Sequence, residues 1–451
     1  MSNKNRPVLT PPIQRATIPY FLTRVLAKQG VKRFHRLTTI ENFNKLPKER
    51  NPIIFVSNHQ NGMMDPMIIS GLIKPQLHWL TRSDVFWNPL VRKILYAYNQ
   101  MPIYRQRDRF SNIRERNDII WDCCIERLDL CAALSLFPEG NHNPQKTIRD
   151  MKRGLSDLLS LAVKKHSDLK RLKIIPLGLE YEDYPGYRRR LSLRMGDEIE
   201  WNDLIDDVTK MVDFRLLSLR VQASLRKIAV DIRPKTSYEE IIPYVRAMRT
   251  SEAKNEVWVS KIEEIDRIAL RENDGDWIRT VSEVYNKLVE VGYSPESRPE
   301  AWGIAKGDVR QKKIWAVLLY PIACLGNLPT VIQQYLLNKR GDKVKAMVFR
   351  STLKVGAGMF VYPISWTILA AIAGTIAAVK GVSLLGVSPF FEAFIAFWSW
   401  ATFGNRFYGW IQGHLYDHND AIEGERFWNK GKSTALRDAW IEYIAIMKQE
   451  N

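Results

Sequence analysis

His59 and Asp65 are the side chains of this sequence best arranged for proton transfer. His59 follows the apolar run 53–56, which is typical of a buried strand, and the turn-forming pair Asn61-Gly62 separates it from Asp65. Residues six apart on one helix face different directions, so only the turn can return the carboxylate to the imidazole. A carboxylate that fixes the tautomer of an imidazole makes it a general base. We therefore predict an acid–base site here, with a purely structural strand-end histidine as the alternative.

Three further blocks place polar side chains beside apolar runs or turns. Arg105 closes the first, Glu139 and Gly140 the second, and Lys152 and Arg153 the third. Arginine matches a phosphate with two parallel hydrogen bonds, and lysine supplies a point charge. Taken singly, each block has another interpretation: Glu139 as a turn cap, and the two cations as solvated surface charges. The blocks are 101–105, 137–140 and 150–154, and an apolar run with an Ile-Pro pair follows at 173–178.

The elements that must position these side chains are predicted from hydrophobic patterning. From residue 52 onward, short apolar runs alternate with helical patterns, which indicates an α/β fold with a mixed sheet flanked by helices. Asp65 and Pro66 are typical of a helix start, with Asp65 as the N-terminal cap. The predicted strands are 53–56, 134–137 and 174–179, and the predicted helices are 113–130 and 154–165.

The composition of the chain narrows the classes of molecule that it is expected to bind. The 451-residue chain has 67 Lys and Arg against 49 Asp and Glu, a net charge of +18. This charge favours nucleic acid, an anionic membrane surface or a phosphorylated substrate. The four cysteines show neither zinc-type spacing nor a disulfide framework, so we expect a reducing compartment and no metal. His414 and His418 lack a third ligand in the sequence, which favours a structural or interfacial role over a metal site.

The flanks of the α/β region differ from it in composition. Residues 18–35 mix apolar and basic side chains, as in an amphipathic helix that lies in a membrane interface or caps the domain. Residues 201–273 are helical and highly charged, and 293–302 are typical of a linker. We therefore divide the chain into an N-terminal interfacial segment at 1–35, the α/β domain at 36–200, a helical extension at 201–300, a broken apolar run at 314–337, two transmembrane helices at 355–404 and a cytosolic tail at 405–451.

A basic loop sets the predicted membrane topology. Residues 355–379 form an uncharged run of 25 residues, enough to cross a bilayer core, and 388–404 is a second apolar run. Six basic residues lie between 339 and 354, and the positive-inside rule puts this loop in the cytosol. Since the α/β domain should also be cytosolic, we predict that 314–337 enters and leaves on one side as a re-entrant or interfacial hairpin. The alternative is that some of these runs are buried helices of a soluble core.

Taken in order, the blocks resemble the signature of the glycerol-3-phosphate and lysophosphatidate acyltransferase family. That signature is a strand-borne Asn-His with a downstream Asp, an Ile/Phe-x-x-Arg block, Phe-Pro-Glu-Gly, and a final Val/Ile-Pro strand. The second block is the loosest, because here the isoleucine and the arginine are one residue closer together. The counterparts, over about residues 50–180, are Asn58-His59 with Asp65, Ile103 with Arg105, 137–140 and 173–178.

The resemblance implies a reaction and a role for each residue. His59 would deprotonate an acceptor hydroxyl and Asp65 would orient its ring, while Arg105 would bind the acceptor's phosphate. Glu139 and Gly140 would hold glycerol hydroxyls or shape the pocket. The predicted substrate-binding set is completed by Asn58, Lys152 and Arg153. The reaction takes an acyl-CoA or acyl-carrier-protein thioester as co-substrate and needs neither a metal nor another cofactor.

Two departures from the family pattern bear on the acceptor. Five residues separate His59 from Asp65, where the family usually has four, and this spacing resembles the fungal-type glycerol-3-phosphate acyltransferases. Asn141-His142 stands where the family commonly has Thr or Ser and then Arg. Glycerol-3-phosphate is therefore the predicted acceptor, with 1-acylglycerol-3-phosphate or another lysophospholipid as the alternative.

A rival class is a basic scaffold or nucleic-acid-binding protein tethered to a membrane. It would explain the net charge of +18, but the sequence has no helix-turn-helix, RNP-type or zinc-finger signal. We therefore predict a glycerol-phosphate acceptor, an acyl thioester and anionic membrane lipid as partners, and no nucleic acid. The expected location is a membrane, with several passes near the C-terminus and the catalytic domain on the cytoplasmic face.

Overall fold

The computed structural model of the chain describes residues 8–12, 17–43, 46–47, 51–248, 259–303, 312–429 and 434–449. The chain divides into two compact units. The first comprises the chain up to Val31 together with Ile40–Glu180 and Ser192–Ala229. The second comprises Lys32–Thr39, Tyr181–Leu191 and the chain from Val230 onward.

Seven strands form one mixed sheet. They are β1 (Arg36–Glu41), β2 (Ile53–Ser57), β3 (Leu77–Arg82), β4 (Gln100–Ile103), β5 (Ala133–Leu136), β6 (Lys173–Tyr181) and β7 (Arg190–Met195). Their order across the sheet is β1-β7-β6-β2-β5-β3-β4. β2 pairs in parallel with β5 and β6, and β3 does so with β4 and β5. β7 runs antiparallel to β6, because Glu182 N–H donates to the Arg190 carbonyl and Gly196 N–H to that of Pro176. The predicted α/β class with a mixed sheet is confirmed.

β2 lies at the centre of the sheet and is buried along its whole length. A parallel strand covered on both faces has no solvent side, so its residues are apolar throughout and do not alternate. Residues 53–56 meet this requirement, which is why the strand was predictable. Because β2 ends at Ser57, His59 lies at the carboxyl edge of the parallel strands, the edge at which open α/β sheets place their ligands.

Six α-helices are described up to residue 229. They are α1 (Ile18–Phe34), α2 (Met64–Leu72), α3 (Pro89–Ala97), α4 (Ile113–Asp129), α5 (Gly154–Lys165) and α6 (Phe214–Arg226). The helices predicted at 18–35, 113–130 and 154–165 are confirmed as α1, α4 and α5. The predicted cap of α2 is wrong, since Met63 holds the cap position and Asp65 lies in the first turn. The reason is that the Asp65 carboxylate bonds to backbone that precedes the helix.

The first unit extends past the domain boundary predicted at residue 200. Leu217, Val221 and Leu225 of α6 are buried in the same hydrophobic core as Ile54 and Val56 of β2. Each such side chain contributes about 1.5–3 kcal/mol when fully buried, which is enough to hold α6 against the sheet. The helical extension predicted at 201–300 is therefore divided. Residues 201–229 belong with the sheet, and the remainder begins the second unit.

The second unit is helical from residue 238 onward. Its α-helices are α7 (Tyr238–Met248), α8 (Val259–Leu270), α9 (Gly275–Glu290), α10 (Pro299–Trp302), α11 (Ile314–Asn327), α12 (Val331–Asp342), α13 (Met347–Lys380), α14 (Pro389–Asn429) and α15 (Thr434–Lys448). Trp302 is buried and stacks on Phe427, with ring centroids 4.4 Å apart, and Trp440 lies edge-on to it at 5.2 Å. The segments predicted as a linker at 293–302 and as a tail at 405–451 thus contribute buried side chains to the core of this unit.

Two stretches of the described residues, Ile314–Asp342 and Phe349–Lys380, are long and apolar enough to cross a membrane. Within the first stretch, a 3₁₀ turn at Leu328–Thr330 separates α11 from α12. At 1.5 Å per residue these two helices are about 21 and about 18 Å long. Each is shorter than the roughly 30 Å of a bilayer core, whereas α13 at about 51 Å exceeds it.

The chain reverses direction between α11 and α12. α11 runs antiparallel to α14, α12 runs antiparallel to α13, and α13 and α14 run antiparallel to each other, so α11 and α12 must point in opposite directions. The two ends of the broken apolar run therefore return to the same end of the α13–α14 pair. The contacts that fix these directions are Tyr320 with Tyr408, Gly326 with Gly404, Thr330 with Trp366, Gly341 with Lys354, Trp366 with Trp398 and Gly374 with Phe390.

Candidate active site

The imidazole of His59 and the carboxylate of Asp65 are in direct contact. Asp65 Oδ2 lies 2.8 Å from His59 Nδ1 and also accepts the backbone N–H groups of Gln60 (2.8 Å) and Asn61 (2.9 Å). An oxygen already engaged as an acceptor also accepts from the ring, which leaves the proton on Nδ1 and the lone pair on Nε2. The His59 side chain is 14% exposed and that of Asp65 is fully buried. This is the arrangement of a general base backed by an orienting carboxylate.

The Phe-Pro-Glu-Gly loop covers one face of that imidazole. Phe137 stacks on His59 with ring centroids 3.9 Å apart and an interplanar angle of 11°. Asn143 N–H donates to the His59 carbonyl oxygen at 3.0 Å, which ties the loop to the strand end. His142 lies edge-on to His59 at 5.6 Å. Burial lowers the pKa of His142, and the charge of Arg149 lowers it further.

The carboxylate of Glu139 is buried and held by an arginine. Arg149 donates to Glu139 Oε2 from Nε (2.8 Å) and from Nη2 (2.6 Å), and Nη2 also contacts the carbonyl oxygen of Asn141. Burial raises the pKa of Glu139, and the charge and hydrogen bonds of Arg149 oppose that rise. Oε1 is buried and has no hydrogen-bond donor among the described residues. A hydroxyl group from a substrate would satisfy this oxygen.

Gly140 and Lys152 connect the block 150–154 to the Phe-Pro-Glu-Gly loop. Gly140 has a φ of +74°, and a Cβ at that position would lie 3.0 Å from Lys152 Cγ. Lys152 N–H donates to the Pro138 carbonyl oxygen at 2.8 Å. The Lys152 side chain is exposed and borders a shallow groove lined also by Leu155 and Phe214. Arg153 is placed differently, because its guanidinium lies over the ring of Phe214 at 5.1 Å.

Arg105 and Asn58 are engaged by groups of the protein itself. Arg105 donates to Asp108 from Nε (3.1 Å) and Nη2 (2.6 Å) and lies 3.6 Å from Asp84, so a phosphate there would compete with two carboxylates. Asn58 donates to the Leu179 carbonyl oxygen at 2.9 Å and accepts the Leu179 N–H at 2.8 Å. Its amide joins β2 to β6 and fixes the point at which His59 leaves the sheet. The structure thus gives Asn58 a positioning task.

Arg149 is the site residue that sequence reasoning missed. The available signal was the departure at His142, where the family pattern places an arginine two residues after the glycine. Arg149 is the next arginine along the chain after that position. Within the part of the chain that the structure describes, no group of three or more His, Cys, Asp or Glu side chains is arranged to hold a metal ion.

Comparison with known proteins gives one family match and individual relatives. The family model described as Acyltransferase matches residues 35–180. The curated protein 1-acyl-sn-glycerol-3-phosphate acyltransferase LPAT1, chloroplastic, of Arabidopsis thaliana is 24% identical over 172 residues, which is 37% of this chain and 45% of that protein. The chain thus spans less than half the length of this relative. The segment 35–180 that matches the Acyltransferase family model contains β2, β5 and the loops that hold His59, Asp65 and Glu139.

Among solved structures, the chain is similar to the 1-acyl-sn-glycerophosphate (LPA) acyltransferase PlsC of Thermotoga maritima. The superposition has a TM-score of 0.35 and 15% sequence identity, and it covers 47% of this chain and 78% of that one.

Proposed function

We propose that this protein is an O-acyltransferase that moves a fatty acyl group from an acyl thioester to a hydroxyl of a phosphate-bearing glycerol. The observation that carries the proposal is the 2.8 Å contact between His59 Nδ1 and Asp65 Oδ2, within the segment that matches the acyltransferase family. An imidazole in that tautomer can remove a proton at Nε2 without a covalent enzyme intermediate.

In the proposed reaction, His59 Nε2 takes the proton of the acceptor hydroxyl while the hydroxyl oxygen attacks the thioester carbonyl carbon. Asp65 stabilises the imidazolium that forms. The tetrahedral intermediate then expels the sulfur, and the leaving thiolate takes the proton back from His59. The products are a new ester and a free thiol, and the enzyme ends in its starting protonation state. Stacking on Phe137 holds the ring in place throughout.

Cations near the two histidines support a phosphate-bearing acceptor. The charges of Arg107 and Arg149 both act on the pKa of His142, and the exposed Lys152 follows Gly140 in the adjoining block. In the proposed complex, Glu139 Oε1 accepts a hydrogen bond from a glycerol hydroxyl while Arg149 and Lys152 contact the phosphate. Arg105 joins them if the phosphate displaces its present carboxylate partners.

Two acceptors are each favoured by one observation. The five residues between His59 and Asp65 favour glycerol-3-phosphate, through the resemblance to the fungal-type enzymes. The name of the Arabidopsis relative favours 1-acylglycerol-3-phosphate, although the match covers 45% of that protein. The donor in either case is an acyl-CoA or an acyl-carrier-protein thioester.

The test supplies membranes that contain the full chain with a long-chain acyl thioester and one radiolabelled acceptor at a time. We expect wild type to form labelled lipid, and we expect His59→Ala and Asp65→Asn to reduce turnover by about 10²- to 10⁴-fold. Asp65→Asn acts for a specific reason. The amide oxygen would still accept the backbone N–H groups of Gln60 and Asn61, but the side chain would carry no negative charge to stabilise the imidazolium that forms during proton transfer.

Asp118→Asn is the matched control, because Asp118 is an exposed aspartate on α4 and its loss should leave turnover unchanged. Equal product from wild type and His59→Ala would refute the base assignment. Product from 1-acylglycerol-3-phosphate alone would select the second acceptor. No product from either acceptor, with both kinds of donor, would refute the proposed function.

We also propose that the catalytic domain works on the cytoplasmic face of a membrane, in contact with anionic lipid. The support is the length of α13 and the exposure of its apolar side chains, among them Ile364 and Ile368 at 58% and 55%. A helix of that length buried in a soluble core would hide such side chains.

A further inference from the structure

Three cations converge on one carboxylate next to the start of α11. Asp417, on α14, accepts hydrogen bonds from Arg36 Nη1 and Nη2 at 2.9 and 2.8 Å and from Lys313 Nζ at 2.7 Å. Arg190 Nη2 lies 3.4 Å from the same carboxylate. All four residues belong to the second unit and lie outside the acyltransferase site. A single negative charge thus faces three positive ones.

Two more arginines enlarge this excess of positive charge. Burial and the charge of Arg36 lower the pKa of Arg188, whose Nε is buried and has no acceptor among the described residues. Arg189 lies over the ring of Tyr416 at 4.2 Å, and its Nη1 is 3.9 Å from Glu182 Oε1. Four of these five cations pair with Asp417 or Glu182, and Arg188 Nη1 instead donates to the backbone carbonyl oxygens of Lys32, Arg33 and His35. We define these five cations with Asp417 as the Asp417 cluster: Arg36, Arg188, Arg189, Arg190, Lys313 and Asp417.

Exposed aromatic side chains lie beside the cluster, as is common at the surface of a membrane. The rings of Trp315 and Trp410 are 5.1 Å apart, and each lies 4.8 Å from the ring of His414. Both tryptophans are exposed, at 39% and 45%, and exposed tryptophans are enriched at the headgroup level of membrane proteins. Along α11 beyond Trp315, Leu318 is 71% exposed, which suits contact with acyl chains.

We propose that the Asp417 cluster binds the phosphate group of an anionic membrane lipid. The phosphate contacts Arg36, Arg190 and Lys313, which it shares with Asp417, and the acyl chains lie along the exposed face of α11. This assignment does not depend on the reaction proposed for His59.

The chemistry of the cluster favours phosphate over other partners. Half-buried cations in excess of their carboxylates are costly unless an anion neutralises them. Guanidinium groups match phosphate oxygens with paired hydrogen bonds, and Lys313 adds a point charge. The side chains of Arg36, Arg190 and Lys313 are 21%, 23% and 31% exposed, so the cluster is not sealed from solvent. The adjoining apolar face of α11 selects a lipid over a soluble phosphate.

The test measures binding to the full chain in uncharged detergent. The probes are dioctanoyl phosphatidylglycerol, dioctanoyl phosphatidylcholine and inorganic phosphate. Phosphatidylglycerol is chosen because it is neither acceptor nor product of the proposed reaction. We expect it to bind more tightly than the other two probes, and Lys313→Gln and Arg190→Gln each to weaken it about tenfold.

Asp417→Asn should have the opposite effect to Lys313→Gln and Arg190→Gln. Because it removes the competing carboxylate, it should tighten the binding of phosphatidylglycerol. A purely structural role would make all three variants weaker or unstable together, so thermal unfolding is recorded for each. Lys380→Gln, which removes an exposed cation at the far end of α13, is the control for non-specific attraction. His59→Ala should bind as wild type does, which separates this proposal from the catalytic one.

Three outcomes would overturn the lipid site. They are equal binding of phosphatidylcholine, binding of inorganic phosphate alone, and the same loss in Lys380→Gln as in Lys313→Gln. Weaker binding by Asp417→Asn in a protein that unfolds at the wild-type temperature would also overturn it.

Discussion

Asp65 Oδ2 accepts hydrogen bonds from His59 Nδ1 and from the backbone of Gln60 and Asn61, so one oxygen holds both the ring and the turn. The turn contains Gly62 at a φ of +40°, a conformation that other residues rarely adopt. The local geometry of this turn, and not a helix, therefore brings His59 and Asp65 into contact.

The Glu139–Arg149 pair gives a prediction about stability. Replacing Arg149 by glutamine leaves a carboxylate whose side chain is 1% exposed without its cation. Breaking a buried pair in this way costs about 3–5 kcal/mol, so we expect Arg149→Gln to lower the free energy of unfolding by about 3 kcal/mol. Glu139→Gln with Arg149→Gln should recover most of that loss, because no buried charge remains. Denaturant unfolding of the wild type, both single variants and the double variant measures the coupling.

The same pair sets a pH dependence. In Arg149→Gln, the already raised pKa of Glu139 rises further, so the folded state holds the proton more tightly than the unfolded chain does. The variant should therefore be most stable below the ordinary glutamate pKa of 4.5 and should lose stability as the pH rises through the folded-state pKa. The double variant lacks the group and should not show this loss. A loss of the same size in the double variant would contradict the assignment to Glu139.

At the scale of elements, α11 and α14 meet through two glycines. A Cβ on Gly404 would lie 1.9 Å from the carbonyl oxygen of Gly326, so the two backbones approach as closely as they do only because both side chains are absent. Beside this crossing, Asn405 donates to Asn327 Oδ1 at 3.0 Å. Small residues with a neighbouring polar contact are the usual means by which apolar helices associate.

We therefore expect Gly404→Ala to destabilise the second unit by about 1–3 kcal/mol, the cost of forcing extra volume into a close contact. Gly356→Ala on α13 is the matched control, because a Cβ there meets no atom within 4 Å. It should be neutral or slightly stabilising, since alanine is the better helix former. Thermal unfolding of detergent-solubilised protein compares the two. Equal melting temperatures would show that the glycine contact does not hold these helices together.

For the molecule as a whole, the reversal between α11 and α12 bears on topology. Both ends of the broken apolar run return to one end of the α13–α14 pair, which keeps the six basic residues between 339 and 354 on the side where α11 starts. By the positive-inside rule, we expect that side to be cytosolic. In the proposed membrane location, we then expect α13 to cross the bilayer once and the apolar part of α14 to return.

We therefore expect a reporter fused after Arg340 to lie in the cytosol and one fused after Lys380 to lie outside it. A paired enzymatic reporter, with one form active on each side of the membrane, reads both fusions. Cytosolic signals from both positions would remove the transmembrane pair, and an external signal after Arg340 would mean that α11 and α12 together cross the bilayer.

Much of the first unit could be predicted from sequence because its signals are local. The apolar run 53–56 predicted β2, and the helical patterns predicted α4 and α5. The pairing of His59 with Asp65 could be predicted because one short turn, at Asn61-Gly62, separates them. The boundary at residue 229 could not, because α6 joins the sheet through Leu217 and Val221, whose helical spacing does not say which core they enter.

Residue types and their spacing alone predicted the pairing of His59 with Asp65, the α/β class and the presence of long apolar helices. Only the tertiary structure decided which groups those side chains meet. It joined Glu139 to Arg149, gave the amide of Asn58 to Leu179, and gathered Arg36, Arg190 and Lys313 around Asp417. The physical reason is that hydrophobic periodicity and turn propensity act over a few residues, whereas ion pairs and buried hydrogen bonds form between segments that only the completed fold brings together.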